Sequence, residues 1–308
     1  MNFGCKHAIA IISLLLSLAA PVVAGPFEDA AAAYGKGDYT TALRLLRPLA
    51  DQGMAKAQII LGVMYANGQG VSQNQVEAMK WYRLAADQGD ASAQAAVGVS
   101  YAKGLGVPKD SAKAAEWLRK AAGQGYANAQ SNLGSMYERG DGVPQNYVEA
   151  MKWYRLAADQ GYANAQNNLA TMYIYGRGVP QDPAEAVKWS RLAADQGFAA
   201  AQYNLAYAYA NGQGVPQDHA EAAKWSKLAA DQGFAVAQYY LGIAYANGQG
   251  VPQDFVQSYR WFELSAAGGY KDAVQGRETV SKRMTNEQIA EAQKLVRDWK
   301  PTTQQLLR

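Results

Sequence analysis

Few residues of this 308-residue chain could do covalent or metal chemistry. Its thiols and imidazoles are one cysteine, Cys5, and two histidines, His7 and His219. A disulfide framework, a Cys/His zinc site and a Cys–His nucleophile pair are therefore excluded within the chain. His219 has no cysteine, second histidine or evident serine partner in its neighbourhood, so a triad is not built there. Six Gly-x-Gly-Val turns, beginning at Gly68, Gly104, Gly140, Gly176, Gly212 and Gly248, superficially suggest a phosphate cradle. Such a cradle needs a preceding strand and a third glycine opening a helix. Here the preceding residues have helical periodicity and the turn recurs six times, which reads as architecture. Glutamates recur in register at Glu77, Glu149, Glu185 and Glu221, but a column that starts helices is not a pair of acids facing one cleft. Met64, Met79, Met136, Met151 and Met172 fall at core or near-core helical spacing and read as packing. The reading is of a chain with no catalytic residues, no metal ligands and no cofactor.

What positions the side chains is a repeat. Tryptophan stands at Trp81, Trp117, Trp153, Trp189, Trp225 and Trp261, each 36 residues from the last. Tyr65, Tyr101, Tyr137, Tyr173, Tyr209 and Tyr245 keep the same interval, and MKWYRLAADQG occurs unchanged at 79–89 and 151–161. Six units fill 54–269. Within each, Ala57, Leu61, Gly62 and Tyr65 (first-unit numbers) lie on one helical stripe, with glycine or alanine at the Gly62 position allowing close helix approach. The glycine turn ends that helix, and Pro108, Pro144, Pro180, Pro216 and Pro252 prevent its continuation. A second helix starts at Asn74, Asp110, Asn146, Asp182, Asp218 or Asp254, all good N-caps. The glutamates three residues on, and Gln257, predict capping boxes, with Lys113 the exception. Charged columns such as Lys80 and Arg83 read as solvated. A helix pair cannot bury both its faces alone, so stacked pairs are expected to form an all-α solenoid.

The flanks read as caps and an address. The opening 25–53 is a degenerate helical hairpin turning at Gly37-Asp38, and 270–308 supplies capping helices and a loose tail from Pro301. Thr285-Asn286-Glu287-Gln288 is a capping box, followed by an apolar stripe of Ile289, Ala292, Val296 and Trp299. Residues 1–24 have the form of a signal peptide. Lys6 precedes the uncharged apolar run Ala8–Ala20, and Val22-Val23-Ala24 suits cleavage after Ala24. The run is too short to span a bilayer, and no later segment is long and apolar enough to do so. The expected location is periplasmic or secreted. The formal charge of +3, with no Lys/Arg run, argues against nucleic acid.

The segment AQSNLGSMYERGDGVPQNYVEAMKWYRLAADQGYANAQ (129–166) resembles the Sel1-like repeat family, relatives of tetratricopeptide repeats. The resemblance is strong over 54–274 and weaker over the opening hairpin. It implies a right-handed α-solenoid of helix-turn-helix repeats that acts as an adaptor for other proteins. A cysteine-rich branch of the family is associated with β-lactams, but that branch relies on disulfides this chain lacks, so the association does not carry over.

By the resemblance, columns 56, 59, 60, 63 and 67 line a concave groove. Column 60 runs Ile60, Ala96, Asn132, Asn168, Asn204, Tyr240, and column 59 runs Ile59, Ala95, Ser131, Asn167, Tyr203, Tyr239. Column 63 runs Val63, Val99, Ser135, Thr171, Tyr207, Ile243. Amides can pair with an extended peptide backbone, since each both donates and accepts, and tyrosines add contact area at low entropic cost. The expected partner is therefore a protein or extended peptide held by Asn132, Asn167, Asn168, Asn204, Tyr203, Tyr239 and Tyr240. Two alternatives are a carbohydrate or peptidoglycan binder, because amides and aromatics also suit sugars, and, more weakly, a β-lactam or cell-wall hydrolase. The sequence leaves the oligomeric state open.

Overall fold

A computed structural model describes residues 25–302. The expected signal segment, 1–24, and the end of the tail lie outside these described residues. Sixteen helices and no strand occur among them. α1 (Pro26–Gly35) and α2 (Tyr39–Asp51) form the opening hairpin. Six pairs follow: α3 (Ala55–Asn67) with α4 (Gln75–Asp87), α5 (Ala91–Lys103) with α6 (Ser111–Gly123), and α7 (Ala127–Arg139) with α8 (Tyr147–Asp159). Then come α9 (Ala163–Tyr175) with α10 (Pro183–Asp195), α11 (Ala199–Asn211) with α12 (His219–Asp231), and α13 (Ala235–Asn247) with α14 (Phe255–Ala267). α15 (Asp272–Ser281) and α16 (Asn286–Arg297) close the chain. The helices group into two compact units divided between Ala157 and Ala158. In each, helix pairs of the α-solenoid class stack on their chain neighbours.

The two glycines of each turn do different work. The first, as at Gly68 and Gly212, ends its helix in the left-handed region, with φ of 70° and 67°. The second lies against the start of the preceding pair's second helix. A Cβ at Gly106 would strike the Gln75 carbonyl, and one at Gly250 the His219 carbonyl. The turn is thus also an inter-repeat contact, which is why no side chain fits there.

The predicted N-caps form: the side chains of Asn74, Asp110, Asn146, Asp182, Asp218 and Asp254 accept from backbone N–H groups two or three residues on. The capping boxes expected at Glu77, Glu149, Glu185, Glu221 and Gln257 do not form. The N-cap backbone N–H that such a residue would accept from already donates to the repeat tyrosine's carbonyl, as Asn74 does to Tyr65 at 2.8 Å and Asp182 to Tyr173 at 3.1 Å. The glutamates turn instead to the lysine three residues on, Glu149 to Lys152 at 2.6 Å and Glu221 to Lys224 at 3.0 Å. Only at Thr285–Gln288, where no tyrosine carbonyl competes, is the box complete among the described helix starts.

Packing between the two helices of a pair is matched in size. Gly134 faces the ring of Tyr154 and Gly242 that of Phe262, where a Cβ would come within 2.8 and 2.9 Å. Where the column carries Ala170 or Ala206, the residue twenty places on is the small Ser190 or Ser226, both buried. Between successive pairs the joint is a buried glutamine. Gln58, Gln94, Gln130, Gln166, Gln202 and Gln238 donate to the carbonyl of an alanine near the end of the preceding helix, at 3.0–3.3 Å. Several also accept from a glutamine at the end of their own pair, as Gln58 does from Gln88 at 2.8 Å. Each of these carbonyls also accepts the N–H of the glycine three residues on, as Ala50 does from Gly53 at 3.0 Å, so the glutamine fills its second acceptor position and ties it to the next pair.

Arg83 is exposed, as expected, and also pairs with Asp87 at 3.0 Å, its guanidinium 4.7 Å from the ring centroid of Trp117 in the next pair. A planar cation half-covered by an indole gains from the ring while keeping contact with water. The tail is not loose at its start. Trp299 and Pro301 lie over Gly233, and the Thr302 N–H donates to the Asp231 carbonyl at 2.7 Å, satisfying the end of α12.

Candidate functional site

The candidate residues stand on the first helices of their pairs. Asn132, on α7 in the first unit, is half-buried and donates through Nδ2 to Asn128 Oδ1 one turn earlier at 2.9 Å. The others lie in the second unit on α9, α11 and α13. Asn168 repeats the intrahelical bond, to Asn164 at 3.1 Å. Asn204 instead crosses between helices and donates to Asn167 Oδ1 at 3.2 Å. Each bond uses one of an amide's two N–H groups, so Asn168 and Asn204 retain an N–H and a carbonyl oxygen for a ligand.

Beyond the amides the same face becomes aromatic. The Tyr203 and Tyr240 ring centroids are 5.7 Å apart, and Tyr239 and Tyr240 meet edge-on at 5.4 Å. Tyr207 touches both Tyr203 and Tyr240, each at 6.4 Å. These tilted and edge-to-face arrangements suit the aromatic quadrupole and fix the rings before any ligand arrives. Tyr207 and Tyr240 are 41% and 37% exposed, large values for rings so well packed on one side. Burial, with Tyr240 beside it, pushes the Tyr203 phenol well above the usual tyrosine range, so it stays neutral and able to donate.

Four contributors escaped the sequence reading. Tyr270 stacks on Tyr239 at 4.8 Å, Phe234 packs against Tyr203 at 5.8 Å, and Asn164 and Asn128 orient the asparagines one turn later. Phe234 and Tyr270 share a column with Tyr126, Tyr162 and Phe198, each directly after a glycine, while Met54 and Asp90 hold the same place in the first two units. That recurrence of aromatics was the available signal. Elsewhere, His219 is exposed at the start of α12. Met64, Met79, Met136 and Met172 are buried in the core. Among the described residues no group of three His, Cys, Asp or Glu side chains converges, and no helix is long and apolar enough to cross a membrane.

A family model described as Sel1 repeat matches residues 31–54, 55–90, 91–126, 127–162, 163–198, 199–234 and 235–270. Among solved structures, a Sel1 repeat protein from Oxalobacter formigenes is 35% identical, with a TM-score of 0.72, over 78% of this chain and 96% of that one. The c5321 protective antigen of uropathogenic Escherichia coli strains, described as displaying an SLR fold, is 28% identical over 90% of this chain and 76% of that one, with a TM-score of 0.40. Immunity protein Pa5087 from Pseudomonas aeruginosa is 20% identical over 73% of this chain and 81% of its own, with a TM-score of 0.45. No curated protein matches.

Proposed function

The chain belongs to the Sel1 repeat family, and from that premise we propose that it is a non-catalytic scaffold whose second unit holds an extended segment of a partner protein. The observation that carries this reading is the run of amides and tyrosines across α9, α11 and α13, from Asn168 through Asn204 to Tyr240. The repeated columns of the chain are accounted for by folding: they cap, turn or fill the core. The groove columns vary from pair to pair and carry no Lys, Arg, Asp or Glu in this unit. Half-exposed amides give direction and register to a peptide backbone, while pre-packed tyrosines supply area without a large ordering cost.

The signal-like residues 1–24 support export, so the partner is sought in the envelope or outside the cell. Changing Asn168 and Asn204 together to alanine should weaken recovery of partner proteins from an envelope fraction, read by quantitative mass spectrometry. The melting temperature should stay near that of the unchanged chain, because both amides are partly solvent-exposed. Equal recovery with both proteins rejects this face as the site. The same amides and rings also favour a glycan reading, and retention on isolated murein sacculi would select it.

A further inference from the structure

At the end of the amide-and-tyrosine face lies a cleft of about 310 Å³ between α13, α14 and α15. Tyr239, Ile243 and Phe262 line it on one side, and Asp272, Gln275 and Thr279 of α15 on the other. It exists because α15 is not a seventh copy of the repeat's first helix. Gly276 brings α15 against the Phe262 ring, where a Cβ would fall within 2.7 Å, and adds no side chain to fill the space beside it. One wall is therefore largely apolar and aromatic, while the wall from α15 is polar and carries a carboxylate.

That carboxylate is unusual for this face. The groove columns of α9, α11 and α13 hold no ionisable group except tyrosine. Asp272 makes no ion pair among the described residues, although Lys271 is its chain neighbour. It is exposed, yet close enough to the phenols of Tyr239 and Tyr270 that its charge helps burial to push both upward. Those phenols stay neutral beside a negative charge.

We propose that this cleft takes the side chain of an arginine or lysine carried by the extended partner segment. The assignment rests on the groove reading above and adds the chemistry of one partner residue. A long apolar stem matches Ile243 and Phe262, and a cationic head matches Asp272 with the flanking tyrosine faces. An acidic side chain would meet Asp272 with like charge, and a short apolar one would reach neither the carboxylate nor the tyrosines.

The test is fluorescence anisotropy of the full chain with two short capped Ala/Ser peptides, one with a central arginine and the other with its neutral isostere citrulline. The arginine peptide should bind about tenfold more tightly, the combined yield of a ring–cation contact and a partly exposed ion pair. Asp272→Asn should cut the ratio to about threefold, the share left to the ring–cation contact. Changing Asn168 and Asn204 to alanine should weaken both peptides and leave the ratio intact. Equal affinities for the two peptides overturn the cleft assignment while the groove reading stands. A preference undiminished by Asp272→Asn also overturns it. Binding of neither peptide overturns both readings.

Discussion

At the scale of single residues, the chain separates letters that build from letters that vary. The Gly134–Tyr154 contact illustrates a local size match that can be exchanged as a pair. Gly134→Ala should cost about 1–3 kcal/mol, because the new methyl meets a ring that cannot retreat. Tyr154→Ser alone should cost about 3–5 kcal/mol through the cavity left by a fully buried ring. The double variant recreates the pairing of Ala170 with Ser190. It should be destabilised by at least about 1 kcal/mol less than the two changes summed, measured by thermal or urea unfolding. Additive losses would mean the two columns are not coupled. The sequence exposes the glycine column but not its partner, because a residue twenty places away becomes relevant only once the pair's crossing is known. The buried glutamines were missed for a similar reason: an amide reads as surface until the carbonyl it closes is seen. Asp272 was missed because it lies beyond the last periodic unit, where no column exists to compare it with.

Among the elements, the helix starts were the most legible feature, since capping depends on neighbours a few residues apart. The period itself located every pair. What the pattern Asp-x-x-Glu could not reveal is competition for the N-cap N–H, which a tyrosine carbonyl nine residues earlier takes. The two acids should therefore differ sharply in worth. Asp182→Ala should destabilise by about 1 kcal/mol. Glu185→Gln should change stability by no more than about 0.5 kcal/mol, because it loses only a surface pair with Lys188. Melting curves of the two variants distinguish the cases, and equal losses would restore the capping box. The candidate site was legible in part by the same logic. Helical spacing put Tyr203, Tyr239 and Tyr240 on one face, and the recurring aromatics ahead of the later first helices were there to be read, but their packing on the tyrosines and the turn-to-turn asparagine bonds needed coordinates.

For the whole molecule, stability is a sum of pairs and of the joints between neighbours, so a weakened end should open locally. Trp299→Ala removes the side chain that lies over Gly233 and packs beside Trp261. Amide exchange should then quicken in α13 to α16 and remain unchanged in α1 to α8, and uniform acceleration would contradict this picture. The glutamine joints carry a last consequence. The amide joints between successive pairs use the same letters each time and reach for main-chain oxygen, whereas the size-matched letters sit together inside one period. Any copy can therefore follow any other. Gain or loss of a whole 36-residue module joins ends that already fit, so recombination can reshuffle or lengthen the recognition face without a new interface having to be invented.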